Sequence, residues 1–304
     1  MHVSGRAVVS ATAAGVLTGV FYAASPLTLW IVAATAVLLR VTTRGLAPHE
    51  RRAVWAIVGV AMALRAASVV VLFLTGPHDR IVSFFWDGDG LYFKQRADVI
   101  AQLWAGVPMG PYDVWEAFHR SYGWSSYIYV LAYAQYLLGA APYAVHVLNA
   151  ALCICAAVLL YRLARASYGP NAALLGLAVT LFLPTLLSWS VAALKESLYI
   201  ALEALAIVGF VAAVRANRVL TGIGAALVCI AALAAVGTVR SDGPVIIAGI
   251  AAGVVATLLA ERPRLLLPLV LVVVVGGASV WRTTTVPDRA MAQLKRAAIT
   301  ILQT

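Results

Sequence analysis

The chain has 304 residues, of which 63% are hydrophobic and 11% charged, with a mean hydropathy of +0.93. A water-soluble domain is about half apolar and about a quarter charged, so these residues cannot cover a soluble surface. The composition leaves a multi-spanning membrane protein. The formal net charge of +10 does not point to nucleic acid in such a chain, because basic residues are retained in cytoplasmic loops, where they meet anionic lipid.

A spanning helix needs about 20 apolar residues. Spans are expected over 7–24, 27–41, 53–75, 143–164, 171–188, 197–214, 219–238, 244–260 and 264–281. The first follows Arg6 and ends in FYAAS, as a signal peptide does, but the apolar run beginning after Pro26 suits a helical hairpin better. Arg40, Arg44, Arg51 and Arg52 mark the second connection as cytoplasmic. Arg162 with Arg165, Arg215 with Arg218, and Arg262 with Arg264 mark three more. Nine spans with a cytoplasmic N-terminus satisfy every cluster. They leave eleven basic and two acidic residues inside, against ten and nine outside. The location implied is the cytoplasmic membrane.

Residues 76–142 then form a long outer loop. Within it, Leu91–Ala105 repeats apolar residues at three and four, as an interfacial helix does. The segment from Ser125 to Ala141 is apolar and rich in Tyr, but counting it as a span would reverse every later loop. It is read as a helix at the outer interface. Residues 282–304 form an outer amphipathic tail with Met291, Leu294, Ala298 and Ile301 on one face. The expected fold is all-α: a polytopic transmembrane helix bundle, one transmembrane domain over 1–304, whose outer loop carries juxtamembrane helices. Cys153, Cys155 and Cys229 lie in apolar runs without zinc-site spacing and read as buried hydrophobes.

Six of the twelve acidic residues lie between Gly76 and Trp124. A chain in lipid keeps ionisable groups where chemistry or binding needs them. The stretch FFWDGDGLYFKQRADV is the densest. Asp87 and Asp89, one residue apart, suit a shared metal or divided base and support roles. An Asp-Gly turn in a solvated loop is the plainer reading, and Tyr92, Lys94, Arg96 and Asp98 directly after the pair weigh against it. A second outer turn carries Lys195 and Glu196, which otherwise read as a snorkelling pair at a helix end. A third carries Arg240 and Asp242, otherwise a capped helix start. An arginine there would grip a phosphate by its fork. Three outer turns, each with charges of both signs, point to one pocket for a charged lipid head group. Inside the spans, Arg65 and Glu203 are expected to pair, and His146 with Asn149 to hydrogen-bond a neighbouring helix.

Asp87, Asp89 and Tyr92 in the first large outer loop, the aromatic stretch Trp124–Leu138, the run LLYRLARASYGPNAALL at Leu159–Leu175 and Glu196 in ALKESL form a pattern. It resembles the GT-C superfamily of membrane glycosyltransferases, especially the group of protein O-mannosyltransferases and the aminoarabinose transferase of lipid A. The resemblance covers roughly residues 53–245. Two spans precede the one leading into the acidic loop, where the family usually has one. The resemblance implies a hexosyltransferase moving a sugar from a polyprenyl-phosphate carrier to a glycan, lipid or protein acceptor at the outer face. It implies catalytic roles for Asp87, Asp89 and Glu196. Tyr92, Lys94, Arg96, Lys195, Arg240 and Asp242 would bind substrate or lipid phosphate. No cofactor is required, although Asp87 and Asp89 would suit a divalent cation such as Mg or Mn. The alternatives are a polymerase or ligase of lipid-linked glycans, which relies more on Arg and His in the outer loop, and a non-enzymatic transporter or scaffold. A transporter would place its ionisable groups near the midplane at broken helices.

Overall fold

The computed structural model describes residues 5–75, 89–119, 125–139, 143–216 and 218–240. Every regular element among them is an α-helix. In chain order these are α1 (Gly5–Ala24), α2 (Pro26–Thr42), α3 (Pro48–Thr75), α4 (Asp89–Trp104), α5 (Pro111–Phe118) and α6 (Tyr127–Leu138). They continue with α7 (Ala144–Tyr168), α8 (Pro170–Phe182), α9 (Pro184–Val191), α10 (Glu196–Arg215) and α11 (Val219–Val239). Proline opens several of them (α2, α5, α8 and α9). Its missing N–H is no loss in a first turn, and its fixed φ suits one. Ser25 completes the start of α2 by accepting a 3.1 Å bond from Thr28 N.

Four described helices are long and apolar enough to cross a membrane: α3 over Pro48–Leu72, α7, α10, and α11 over Leu220–Val239. The pair α8 and α9 makes a fifth if it is one broken span. Many large apolar side chains on the bundle are exposed, such as Val60, Val71, Leu74, Leu175 and Leu227. So much outward apolar surface suits lipid and not water. The expected spans 244–260 and 264–281, and the tail 282–304, fall outside the described residues.

The span expected over 171–188 is interrupted. α8 and α9 meet at Leu183 with a bend of 55°. Pro184 supplies the reason. It has no N–H for the helix ladder, and its ring pushes the preceding residue out of the helical region; Leu183 sits at φ −59°, ψ 122°. The segment expected at the interface forms α6, which has 12 residues. At 1.5 Å per residue it is about 18 Å long, too short for a hydrocarbon core of about 30 Å.

The chain divides into two compact units, Met1–Ala201 and Leu202–Thr304, with the boundary inside α10. In the first unit α7 is the central helix. Towards its C-terminal end it packs Ile154, Ala157, Val158 and Tyr161 against α2, α3 and α8. At its N-terminal end a separate core gathers Phe93, Ala97 and Ile100 of α4, Ala117 of α5, Tyr127, Ile128, Leu131 and Ala132 of α6, Val145, and Ala193. The buried face of α4 thus recurs at helical spacing, as its sequence pattern predicts.

Polar groups tie the first unit at both ends of α7. Glu50, at the start of α3, is buried. It accepts bonds from Tyr161 Oη (2.5 Å) and from Arg165 Nε and Nη2 (2.5 and 2.9 Å). Further along α3, Arg65 is only 1% exposed. Its guanidinium donates to Ser190 Oγ (2.7 Å), Ala61 O (3.1 Å), Leu181 O (3.1 Å) and Cys153 Sγ (3.6 Å). These contacts lie within the first unit, whereas Glu203, its expected partner, belongs to the second.

In the second unit, α10 and α11 approach closely at Gly209. A Cβ there would stand 3.0 Å from Cys229 N and 3.1 Å from Ala225 O. Small residues at such crossings let apolar helices pack backbone to backbone.

Candidate functional site

α4 begins at Asp89, which is exposed in its first turn. A carboxylate there faces the positive end of the helix dipole. Asp87, the expected base, lies outside the described residues. One turn further, Tyr92 packs edge-on against Phe93 with ring centroids 5.5 Å apart. The Arg96 guanidinium lies 4.2 Å from the Tyr92 ring centroid, within cation–π range. Arg96 is itself buried and donates to His119 O at 2.7 Å, which fastens the end of α5 to α4. Lys94 pairs with Asp98 at 2.6 Å, one turn along the same helix. Of the three cationic or aromatic groups expected on α4, each therefore has a partner on α4 or at the end of α5.

The turn with Lys195 and Glu196 joins α9 to α10 and packs on the α4–α6 core through Ala193. Lys195 Nζ lies 5.6 Å from the Phe93 ring centroid. Phe93 also meets Tyr127 edge-on at 5.6 Å. The Lys195–Glu196 turn and α4 thus share one apolar cluster. Glu196 opens α10, and its Oε2 is buried without a hydrogen-bond partner among the described residues. Its charge also reaches Tyr127, whose phenol is raised above the ordinary tyrosine value, first by burial and to a lesser degree by Glu196, against the lowering effect of Asn149. Tyr127 therefore remains a neutral donor.

Arg240 caps the end of α11 in extended backbone, with its N–H on Val236 O at 3.1 Å; it belongs to the second unit. Asp242 lies outside the described residues. Among the described residues, no three His, Cys, Asp or Glu side chains gather as a metal site would require. The Asp87–Asp89 pair is described only at Asp89.

Beneath the Lys195–Glu196 turn lies a polar layer that the sequence pattern signals only in part. The helix α9 ends at Val191, and the backbone of Ala192 is extended (φ −77°, ψ 159°). The carbonyls freed there point at α7. His146 Nδ1 bonds Val191 O. Asn149 Nδ2 donates to Ala192 O (2.5 Å) and Leu194 O (2.9 Å). Tyr127 Oη donates to Asn149 Oδ1 at 3.0 Å. The pairing of His146 and Asn149 with a neighbouring segment agrees with their spacing in the sequence. Tyr127 as their third member carries no signal beyond its aromatic neighbours.

Comparison with protein-family models, with characterised proteins and with solved structures returns no match for this chain.

Proposed function

We propose that the protein is a membrane glycosyltransferase. In this reading it moves a sugar from a polyprenyl-phosphate carrier to an acceptor hydroxyl at the outer face, within a bundle of nine spans. The acceptor oxygen attacks the anomeric carbon, and its proton passes to Asp87. The bond from that carbon to the carrier phosphate breaks, and the phosphate leaves with the electron pair. Asp89 and Glu196 assist by orienting the acceptor. Lys195 stabilises the departing phosphate by charge-assisted hydrogen bonds.

The observation that supports this reading best is the packing of the Lys195–Glu196 turn on the helix that Asp89 opens. A cation and a carboxylate oxygen without a hydrogen-bond partner among the described residues are held beside α4 by a common core. The tyrosine of the acidic stretch, Tyr92, belongs to the same cluster. The test is transfer from a polyprenyl-phosphate sugar in membranes. Asp87→Asn is expected to abolish transfer at unchanged protein abundance, and Glu196→Gln to reduce it. Full activity in Asp87→Asn refutes the base assignment.

One observation favours transport. Broken helices with buried charge mark transporter sites, and Arg65 sits at the α8–α9 break. Its guanidinium, however, is occupied by four protein acceptors. A group so engaged fits a structural fastening better than a substrate ligand, and the transferase reading is preferred.

A further inference from the structure

The segment Ala192–Lys195 sits between two helices without belonging to either. In an apolar bundle each carbonyl freed by such a gap needs a partner, because lipid supplies none. Here the partners are side chains of α7. His146 and Asn149 are three residues apart and so share a helix face. They reach three carbonyls, those of Val191, Ala192 and Leu194. All three network side chains, His146, Asn149 and Tyr127, are at most 1% exposed.

The donor and acceptor roles follow from chemistry. A carbonyl only accepts, so His146 Nδ1 carries a proton. The Asn149 amide nitrogen faces two carbonyls, and its oxygen faces the Tyr127 hydroxyl. Turning the amide over would set its oxygen against both carbonyls. The two carbonyls therefore fix the sense of Asn149, Tyr127 satisfies the amide oxygen that this leaves buried, and Asn149 fixes the turn. The turn in turn sets where Lys195 and Glu196 stand.

We propose that His146, Asn149 and Tyr127 are positioning residues: they hold the α9–α10 turn so that Lys195 and Glu196 face the same site. This role rests on the transferase reading only in what the two charged groups then do. The geometry of the turn itself needs no substrate.

The experiment is hydrogen–deuterium exchange on the full chain in lipid nanodiscs, comparing residues 193–198 with residues 150–168. Losing a bond to a buried carbonyl costs about 1–3 kcal/mol, which corresponds to roughly fivefold to a hundredfold in local opening. Asn149→Asp and His146→Leu are expected to speed exchange at 193–198 by about that factor, with 150–168 unchanged. His146→Asn places an amide nitrogen near the Nδ1 position and is expected to restore the wild-type rate. Wild-type exchange at 193–198 in both disrupting variants, or His146→Asn as fast as His146→Leu, overturns the proposal. If a disrupting variant loosens both segments together, Tyr127→Phe decides. It keeps the ring and removes only the hydroxyl, so it must loosen 193–198 selectively, and unchanged exchange there overturns the proposal. Binding of polyprenyl phosphate to the same samples completes the set. Binding weakened by about tenfold in Asn149→Asp is the expected result. Wild-type affinity in a loosened Asn149→Asp turn overturns the positioning role. A wild-type protein that holds its turn but binds no polyprenyl phosphate refutes the transferase reading instead.

Discussion

Replacing Arg65 tests whether a buried cation serves the break between α8 and α9. Its guanidinium reaches acceptors on four helices: Ala61 O on α3, Cys153 Sγ on α7, Leu181 O on α8 and Ser190 Oγ on α9. These acceptors do not depend on it equally. Ser190 keeps its own bond to Leu187 O at 2.8 Å, and Ala61 O lies inside the α3 ladder. Leu181 O is near the end of α8, where Pro184 has interrupted the ladder. Arg65→Met keeps most of the volume, removes a buried charge and leaves Leu181 O unmet, at a cost of about 1–3 kcal/mol. Arg65→Ala adds a cavity at a fully enclosed site, for a further loss of about 2–5 kcal/mol. Arg65→Lys retains the charge without the fork and cannot serve Ser190 and Leu181 together, so it is expected to be no better than Met. Unfolding in mixed detergent micelles, followed by tryptophan fluorescence, ranks the three. Wild-type stability in Arg65→Lys, with Met as damaging as Ala, would refute the argument, because charge and not the forked geometry would then be the contribution.

At the other end of α7, Arg165→Met strands the Glu50 carboxylate beside Tyr161 alone and is expected to destabilise more than Glu50→Gln, while Glu50→Leu with Arg165→Met recovers part of the loss, all read as unfolding midpoints. Gly209→Ala forces apart the α10 and α11 backbones and should cost about 1–3 kcal/mol in the same assay; Gly224→Ala, where nothing lies within 4 Å, should be neutral or gain about 0.5–1 kcal/mol. Arg96→Leu removes the bond to His119 O, so exchange at 111–119 should rise by about tenfold or more while α7 is unaffected; unchanged exchange would mean that α5 is held by its apolar face alone.

Helix positions were legible wherever length and hydropathy decide them. The strong apolar runs of α3, α7, α10 and α11 are long enough to be recognised without their neighbours. The α4 face, with Ile100 and Trp104 repeating at helical spacing, was legible for the same reason. The break at Leu183 was less so, because 171–188 is apolar on both sides of it and hydropathy ignores the lost N–H of Pro184. The partner of Arg65 was not legible at all. A cation in a span suggests a carboxylate, and Glu203 is the nearest intramembrane candidate by composition. The acceptors it found are carbonyls, a hydroxyl and a thiol, which no charge count reveals.

The same physics explains why Lys195 and Glu196 could be suspected from sequence while their support could not. Wherever a helix stops inside an apolar bundle, the chain exposes carbonyls that lipid will not satisfy. Each such point must attract side-chain donors from elsewhere, and their identity depends on which helix happens to lie opposite. At the α8–α9 break the donor is Arg65 of α3; at the α9–α10 turn the donors are His146 and Asn149 of α7. Polar residues in the spans and irregular turns between them are thus two halves of one constraint. A sequence displays both halves, but only packing matches them. It is this matching that fastens the turn carrying Lys195 and Glu196 to α7.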